Sequence, residues 1–155
     1  LKEIFALYKR LDNKGKILAR EGRNSIGTGY DSLIAGDVVS ERSYNIDYKM
    51  MEQYITAVQD TSFQNDDSFV PPMCISALSL RGAIEDLKIP GGTLHASQEI
   101  TFIKPVSINQ SLSCHAKISS NTLRGDWRFM AIVLSVTDMN GIEVMSGKST
   151  IMLPK

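Results

Sequence analysis

The spacing of apolar residues changes from helical to alternating near residue 88. Before that point, the stretches 47–58 and 71–87 carry apolar residues at helical spacing, which predicts two helices. After that point, apolar and polar residues alternate, which predicts strands with one buried face. Four such stretches follow one another, at 94–103, 111–120, 127–138 and 143–153. The chain is therefore expected to place these two helices before an antiparallel meander.

Local signals set the limits of these elements. The alternating stretch "VVSERSYNI", 38–46, predicts one more strand, and Asp47 can then cap the first helix. Pro72 suits the first turn of the second helix, where its missing N–H is tolerated. That second helix is apolar nearly all round, which predicts that it is buried. Turns between strands are predicted at "SSNTLRGD" and at "DMNGIE".

The first third of the chain is less regular. Apolar residues at helical spacing predict a short amphipathic helix over residues 1–11, and glycines among polar residues predict irregular structure over 12–37. We divide the chain into an N-terminal helix and irregular extension, 1–34, and a single domain, 35–155. The order of strand, helix, buried helix and meander predicts an α+β fold in which an antiparallel sheet wraps around a central buried helix.

Composition narrows the function classes. The chain has 155 residues, with 17 basic and 17 acidic side chains, so overall charge favours neither nucleic acid nor a membrane surface. The charged opening stretch does not resemble a signal peptide, and we expect a cytoplasmic protein. Two cysteines and two histidines, without metal-ligand spacing, predict no metal site.

Several stretches together resemble the MaoC-like acyl dehydratase and (R)-specific enoyl-CoA hydratase branch of the hot-dog fold. They are "AGDVVSERSYNIDYKMMEQYITAVQDTS", "VPPMCISAL" and "LHASQEITFIKPVSINQSL". The resemblance covers roughly residues 35–153 and is greatest to the N-terminal, non-catalytic half of two-hot-dog dehydratases. It implies a hot-dog fold, an acyl-CoA ligand and metabolism of fatty acyl thioesters. It also implies no cofactor, because the CoA or acyl carrier thioester is part of the substrate.

The resemblance also implies a specific chemistry. In this branch an Asp and a His in a D-x-N-P-x-H run hold the water and move protons, while N–H groups at the start of the central helix stabilise the thioester oxygen. Asp60 matches the aspartate of that run, but Asn65 stands where the histidine is expected. Because an asparagine side chain does not titrate, half of the dyad is missing. The role that we favour for Asp60 is that of a helix-end or turn residue whose carboxylate binds local amides.

Other residues are candidates for the remaining roles. His95 begins the strand after the central helix, and alternation places it on the same face as Ser97 and Glu99. It is a candidate catalytic residue with Asp60, or else a structural histidine bonded to the backbone near a subunit interface. Candidate substrate-binding residues are Asn65, Met73, Cys74 and Gln98.

Three functions remain open. A hot-dog sheet leaves a long edge exposed, so we expect a homodimer or a heterodimer with a second hot-dog subunit. The first function is a subunit of an enoyl-CoA hydratase or 3-hydroxyacyl dehydratase whose partner chain supplies the catalytic residues. The second is a homodimeric acyl-CoA binding or regulatory module without lyase activity. The third is an acyl-CoA thioesterase, for which Asp60 and Glu85 are the candidate carboxylates.

Overall fold

A five-stranded antiparallel sheet and two helices make up the part of the chain that the computed structural model describes, residues 29–61 and 68–155. The sheet order is β1-β3-β4-β5-β2. The helix predicted within residues 1–11 lies outside the described residues. In chain order the elements are β1 (Val38–Asn45), α1 (Tyr48–Val58), α2 (Pro72–Leu87), β2 (Leu94–Phe102), β3 (Ser111–Arg124), β4 (Trp127–Asp138) and β5 (Glu143–Pro154).

The helices and strands predicted within the described residues are confirmed, with one turn misplaced. The strand expected to end at residue 120 continues to Arg124, so the turn to β4 contains only Gly125 and Asp126. The polar residues before this turn belong to a strand end that extends past the core and keeps its ladder with β4. Polar composition was therefore a poor guide to the turn, whereas Gly125, at φ 58°, supplies the left-handed backbone that the turn requires.

Both helices begin and end by mechanisms that the sequence encodes. The Asp47 carboxylate accepts a hydrogen bond from the Met50 N–H at 2.8 Å, so the predicted cap of α1 is confirmed. Gln59, at φ 55°, ends α1 in a left-handed conformation, and the Asp60 N–H donates back to the Ile55 carbonyl at 3.2 Å. This Schellman-type ending turns the chain sharply at Asp60.

The core lies between α2 and the inner face of the sheet. The sheet contributes fully buried residues from its three central strands, such as Leu112, Ile132 and Met145. The face of α2 that touches the sheet is narrow and mostly small, which allows close packing. Its buried residues are Cys74, Ile75, Ser76, Ser79, Gly82, Ala83 and Leu87. Leu78 and Leu80 lie on the two sides of this face, pack against the core and are half-buried in the single chain.

Polar side chains on the inner face of β1 tie this edge strand to α2. Arg42 binds Asp86 through two hydrogen bonds of 3.0 and 2.6 Å and Glu85 through one of 2.7 Å, while the Ser40 hydroxyl donates to Asp86 at 2.5 Å. Gly82 leaves room for this arrangement, since a Cβ there would lie 3.0 Å from the Arg42 Cδ. The β1 edge and α2 are thus joined by charge-assisted bonds.

The segment before β1 is attached to the same body. The Tyr30 hydroxyl donates to the carbonyls of Leu87 and Lys88 at the end of α2, at 3.1 and 2.8 Å. The Asn121 amide donates to the carbonyls of Tyr30 and Leu33, and Leu33 is buried. Residues 29–34 therefore pack on the domain, while the division of the chain at residue 34 stays a prediction.

Candidate functional site

An open pocket of about 350 Å³ lies between the end of α1 and the start of α2. Two of the described residues that line it have polar side chains, Tyr54 and Asp60. The other lining residues are apolar: Val58, Pro71, Pro72 and Met73. A mostly apolar cleft with a few convergent polar groups is the usual form of a small-molecule site.

The end of α1 brings the two polar groups to one place. Tyr54 and Val58 are four residues apart and so share a face of the helix. After Val58, the left-handed residue Gln59 reverses the chain, and Asp60 returns to line the same pocket as Tyr54. The stretch that ends in "AVQD" thus places a carboxylate beside a phenol through helix spacing and a non-glycine left-handed turn.

The start of α2 is held by the chain that precedes it. Residues 68–70 run antiparallel to residues 106–108, with the Val70 N–H donating to the Val106 carbonyl at 2.8 Å. Val70 and Val106 are both buried, so this contact fixes the entry to Pro71. No side chain caps α2, whose first turn faces the pocket through Pro72 and Met73. An uncapped helix N-terminus favours negative charge on a nearby ligand atom.

The neutral groups around the pocket keep their protons near pH 7. Burial raises the pKa of Tyr54, and the neighbouring Cys74 and Asp60 raise it further. Burial raises the pKa of Cys74 to about 12, so its side chain stays a neutral thiol behind the pocket wall. The described residues of the pocket therefore include a neutral hydroxyl, that of Tyr54, beside the Asp60 carboxyl group.

The structure brings together some of the residues that the sequence singled out. Asp60 and Met73 line the pocket, and Met73 is half-exposed there. Cys74 is adjacent in sequence but fully buried against the core, and Asn65 lies outside the described residues. His95 and Gln98 do not line this pocket. Tyr54 was missed as a site residue because its helical spacing was read as part of the apolar face alone.

The predicted orientation of His95 is wrong. A bulge between His95 and Ser97 breaks the alternation of β2, so His95 pairs with Ile151 and Gln98 with Ser149. His95 therefore shares the inner face with Gln98, and its Nε2 lies 3.0 Å from the hydroxyl of the fully buried Ser149. As a structural histidine, His95 was expected to bond the backbone, but its Nε2 bonds the Ser149 side chain instead.

Gln98 occupies an unusual environment on the same inner face. Both its amide nitrogen and its amide oxygen are buried without a hydrogen-bond partner. The carboxamide lies above Gly147 of β5, where a Cβ would be 3.8 Å from the Gln98 Nε2. A buried carboxamide with both atoms unpaired is unfavourable, so Gln98 lowers the stability of this part of the sheet.

Metal binding and membrane insertion are two other functions that the described residues bear on. Among residues 29–61 and 68–155, no group of three or more His, Cys, Asp or Glu side chains is placed to hold a metal ion. No helix in the same residues is long and apolar enough to cross a membrane.

Comparison with solved structures shows that the chain has the hot-dog fold, as its sequence predicted. An (R)-hydratase from A. caviae involved in PHA biosynthesis matches 79% of this chain and 98% of its own, with a TM-score of 0.67 and 16% identity. The HadBC 3R-hydroxyacyl-ACP dehydratase complex from Mycobacterium tuberculosis matches 77% and 96%, with a TM-score of 0.61 and 17% identity.

A third similar structure has a different description. The monoamine oxidase regulatory protein from Archaeoglobus fulgius matches 81% of this chain and 94% of its own, with a TM-score of 0.71 and 11% identity. By sequence, neither a protein-family model nor a curated protein matches the chain. At these identities the comparisons establish the fold, and the function has to be argued from the site.

Proposed function

We propose that this chain is a MaoC-like hot-dog subunit that binds acyl thioesters. It would belong to an enoyl-thioester hydratase or 3-hydroxyacyl dehydratase whose proton-transferring residues come from a partner chain. One observation carries the proposal: the pocket at the start of α2 holds a carboxylate, Asp60, and neither of the two histidines of the chain lines it. The pocket can accept an acyl chain, but it lacks the imidazole of the dyad.

The similar structures support this assignment in two ways. Proteins described as an (R)-hydratase and as a 3R-hydroxyacyl-ACP dehydratase share the fold over nearly their whole length. The second of them is a complex, which supports a shared site between unlike hot-dog subunits. In this proposal Met73 and the two prolines form the wall of the acyl site, and the uncapped first turn of α2 faces the thioester oxygen.

The thioesterase alternative finds less support. It needs a carboxylate that can activate water near the central helix. Glu85 hydrogen-bonds Arg42 and Arg81, and it lies about 20 Å along α2 from Pro72 at the helical rise of 1.5 Å per residue. Asp60 alone would then have to act as the base.

Calorimetric titration of the purified chain with butyryl-CoA tests the binding function. Met73→Arg places a charge at the pocket wall and should weaken binding about tenfold or more. Met139→Arg is the matched control, since Met139 is 74% exposed on a hairpin away from the pocket, and it should leave affinity within about twofold. Absence of butyryl-CoA binding by the unaltered chain would contradict the proposal.

Co-purification with mass spectrometry tests the partner. Recovery of a second hot-dog chain that carries an intact D-x-N-P-x-H run would support a shared hydratase or dehydratase. A chain that pairs only with itself while still binding butyryl-CoA would favour the homodimeric binding module instead.

A further inference from the structure

The wall of the pocket includes an exposed methionine. Met73 lies in the first turn of α2, lines the pocket and is 52% exposed. The chain has seven methionines, and the structure describes all of them. Apart from Met73, only Met139, on the hairpin between β4 and β5, is exposed, at 74%. The other five are buried or half-buried: Met50, Met51, Met130, Met145 and Met152.

The two cysteines are protected from oxidants that attack sulfur. Both are buried, and burial raises the pKa of each thiol, that of Cys74 to about 12. Peroxides oxidise the thiolate form of cysteine, so a buried thiol with a raised pKa reacts slowly. A thioether has no proton to lose and needs only contact with the oxidant. Of the two sulfur-bearing side chains at the start of α2, Met73 is therefore the one open to attack.

We propose that Met73 is a site of reversible oxidation by peroxides, and that its conversion to the sulfoxide lowers the affinity of the pocket for acyl chains. The Met73 sulfur attacks one oxygen of hydrogen peroxide: a sulfur–oxygen bond forms, the oxygen–oxygen bond breaks, and water leaves. The sulfur is oxidised by two electrons, and the peroxide is reduced by the same two. The inference rests on the proposed acyl-thioester binding and adds a means of regulating that same site.

Oxidation changes the polarity of the pocket wall. A thioether is apolar and packs well against an alkyl chain, whereas the oxygen of a sulfoxide accepts hydrogen bonds from water. An acyl chain that enters the oxidised pocket displaces this water and offers the sulfoxide no donor in return. Because Met73 is half-exposed, the oxygen is added outside the core, and the fold should be unaffected.

Peptide mapping by mass spectrometry, after mild treatment of the purified chain with hydrogen peroxide, tests the modification. Met73 and Met139 should each gain one oxygen atom, while the buried Met51, Met130 and Met145 keep their thioethers. Methionine sulfoxide reductases for both sulfoxide epimers, supplied with a thiol reductant, should remove the added oxygen as water. A Met73 thioether that survives when Met139 is fully oxidised would overturn the inference.

Titration calorimetry with butyryl-CoA tests the consequence for binding. Peroxide treatment should weaken binding by the unaltered chain about fivefold or more, and the reductases should restore it. Met139→Leu, which removes the other exposed methionine, is the matched control and should lose affinity to the same extent. Met73→Leu should show the same affinity before and after treatment, within about twofold, because no thioether remains at the pocket wall.

The outcomes separate this inference from the proposed function. Unchanged binding after Met73 is oxidised, or an equal loss in Met73→Leu, would overturn the regulation while acyl-thioester binding stands. Absence of butyryl-CoA binding by the untreated, unaltered chain would reject the proposed function and this inference with it. Thermal melting of each protein before and after treatment should give matching midpoints. A midpoint that falls on treatment of the unaltered chain but not of Met73→Leu would also overturn the inference, because unfolding would then explain the lost affinity.

Discussion

The two edge strands of the sheet, β1 and β2, differ in how they are attached to α2. The inner face of β1 is tied to α2 through Arg42, whose guanidinium binds two carboxylates, and through a short bond between Tyr44 and Ser79. Among the described residues, the inner face of β2 has no such bond to α2: the Gln98 carboxamide is buried without a hydrogen-bond partner, and Phe102 is 40% exposed. The β1 edge is therefore held by side-chain bonds within the chain, whereas β2 leaves a large apolar side chain exposed.

The largest effect is expected from a charge on the β2 edge. Phe102→Lys places an ammonium group on the inner face of β2 and should weaken dimerisation, with itself or with a second hot-dog subunit, about hundredfold. Phe69→Lys is the matched control, because Phe69 is also 40% exposed but lies outside β2. Sedimentation velocity over a range of concentrations measures both. Unchanged association of Phe102→Lys would remove β2 as the contact surface.

Substitutions in the β1 edge strand should lower the free energy of unfolding through the loss of its bonds to α2. Arg42→Ala removes three charge-assisted hydrogen bonds and should lower the free energy of unfolding by about 2 kcal/mol. Glu41→Ala, the adjacent residue on the outer face, should change it by less than about 0.5 kcal/mol. Urea unfolding gives both values. Equal losses in the two variants would mean that the Arg42 contacts add little to the attachment of β1.

A smaller effect of opposite sign is expected at Gln98. Gln98→Met replaces a buried, unpaired carboxamide by an apolar side chain of similar length and should raise the stability of the single chain by about 1 kcal/mol. Gln53→Met on α1 serves as the control and should be near neutral. A loss of stability in Gln98→Met would indicate that the carboxamide is satisfied, for example by an internal water.

The smallest effect concerns acid stability. Burial raises the pKa of Asp86, but hydrogen bonds from Arg42 and Ser40 and the Arg42 charge outweigh it and leave that pKa below its usual value. Since the folded pKa is depressed, this stabilisation is present above the unfolded pKa, which is near 3.8, and is lost as the pH falls below it. Between pH 5 and about pH 3, the unaltered chain should therefore lose more stability than Arg42→Ala. Parallel pH profiles for the two proteins would contradict this reading.

The sequence predicted the order of elements because apolar spacing and capping are local. Asp47 caps α1 as expected, and every predicted strand between residues 38 and 154 exists. The register between distant strands was harder to predict from the sequence. A single extra residue at Ala96 reverses the orientation of His95, and alternation alone gives no signal of that bulge.

The candidate site was predicted only in part, because local patterns in the sequence do not reveal contacts between distant residues. Asp60 and Met73 were found through resemblance, and both line one pocket. Tyr54 could have been found from its position four residues before Val58 and six before Asp60, had the left-handed turn at Gln59 been foreseen. The bond of Arg42 to Asp86 joins residues 44 positions apart, and no local pattern in the sequence specifies it.

The central claim is that this chain holds an acyl thioester without the imidazole needed to hydrate it. Spectrophotometric assay of crotonyl-CoA hydration by the purified chain, alone and with Asp60→Ala and His95→Ala as controls, tests that claim most directly. The account predicts no turnover above the buffer rate for any of the three proteins. Robust turnover by the unaltered chain that disappears in Asp60→Ala or His95→Ala would contradict it.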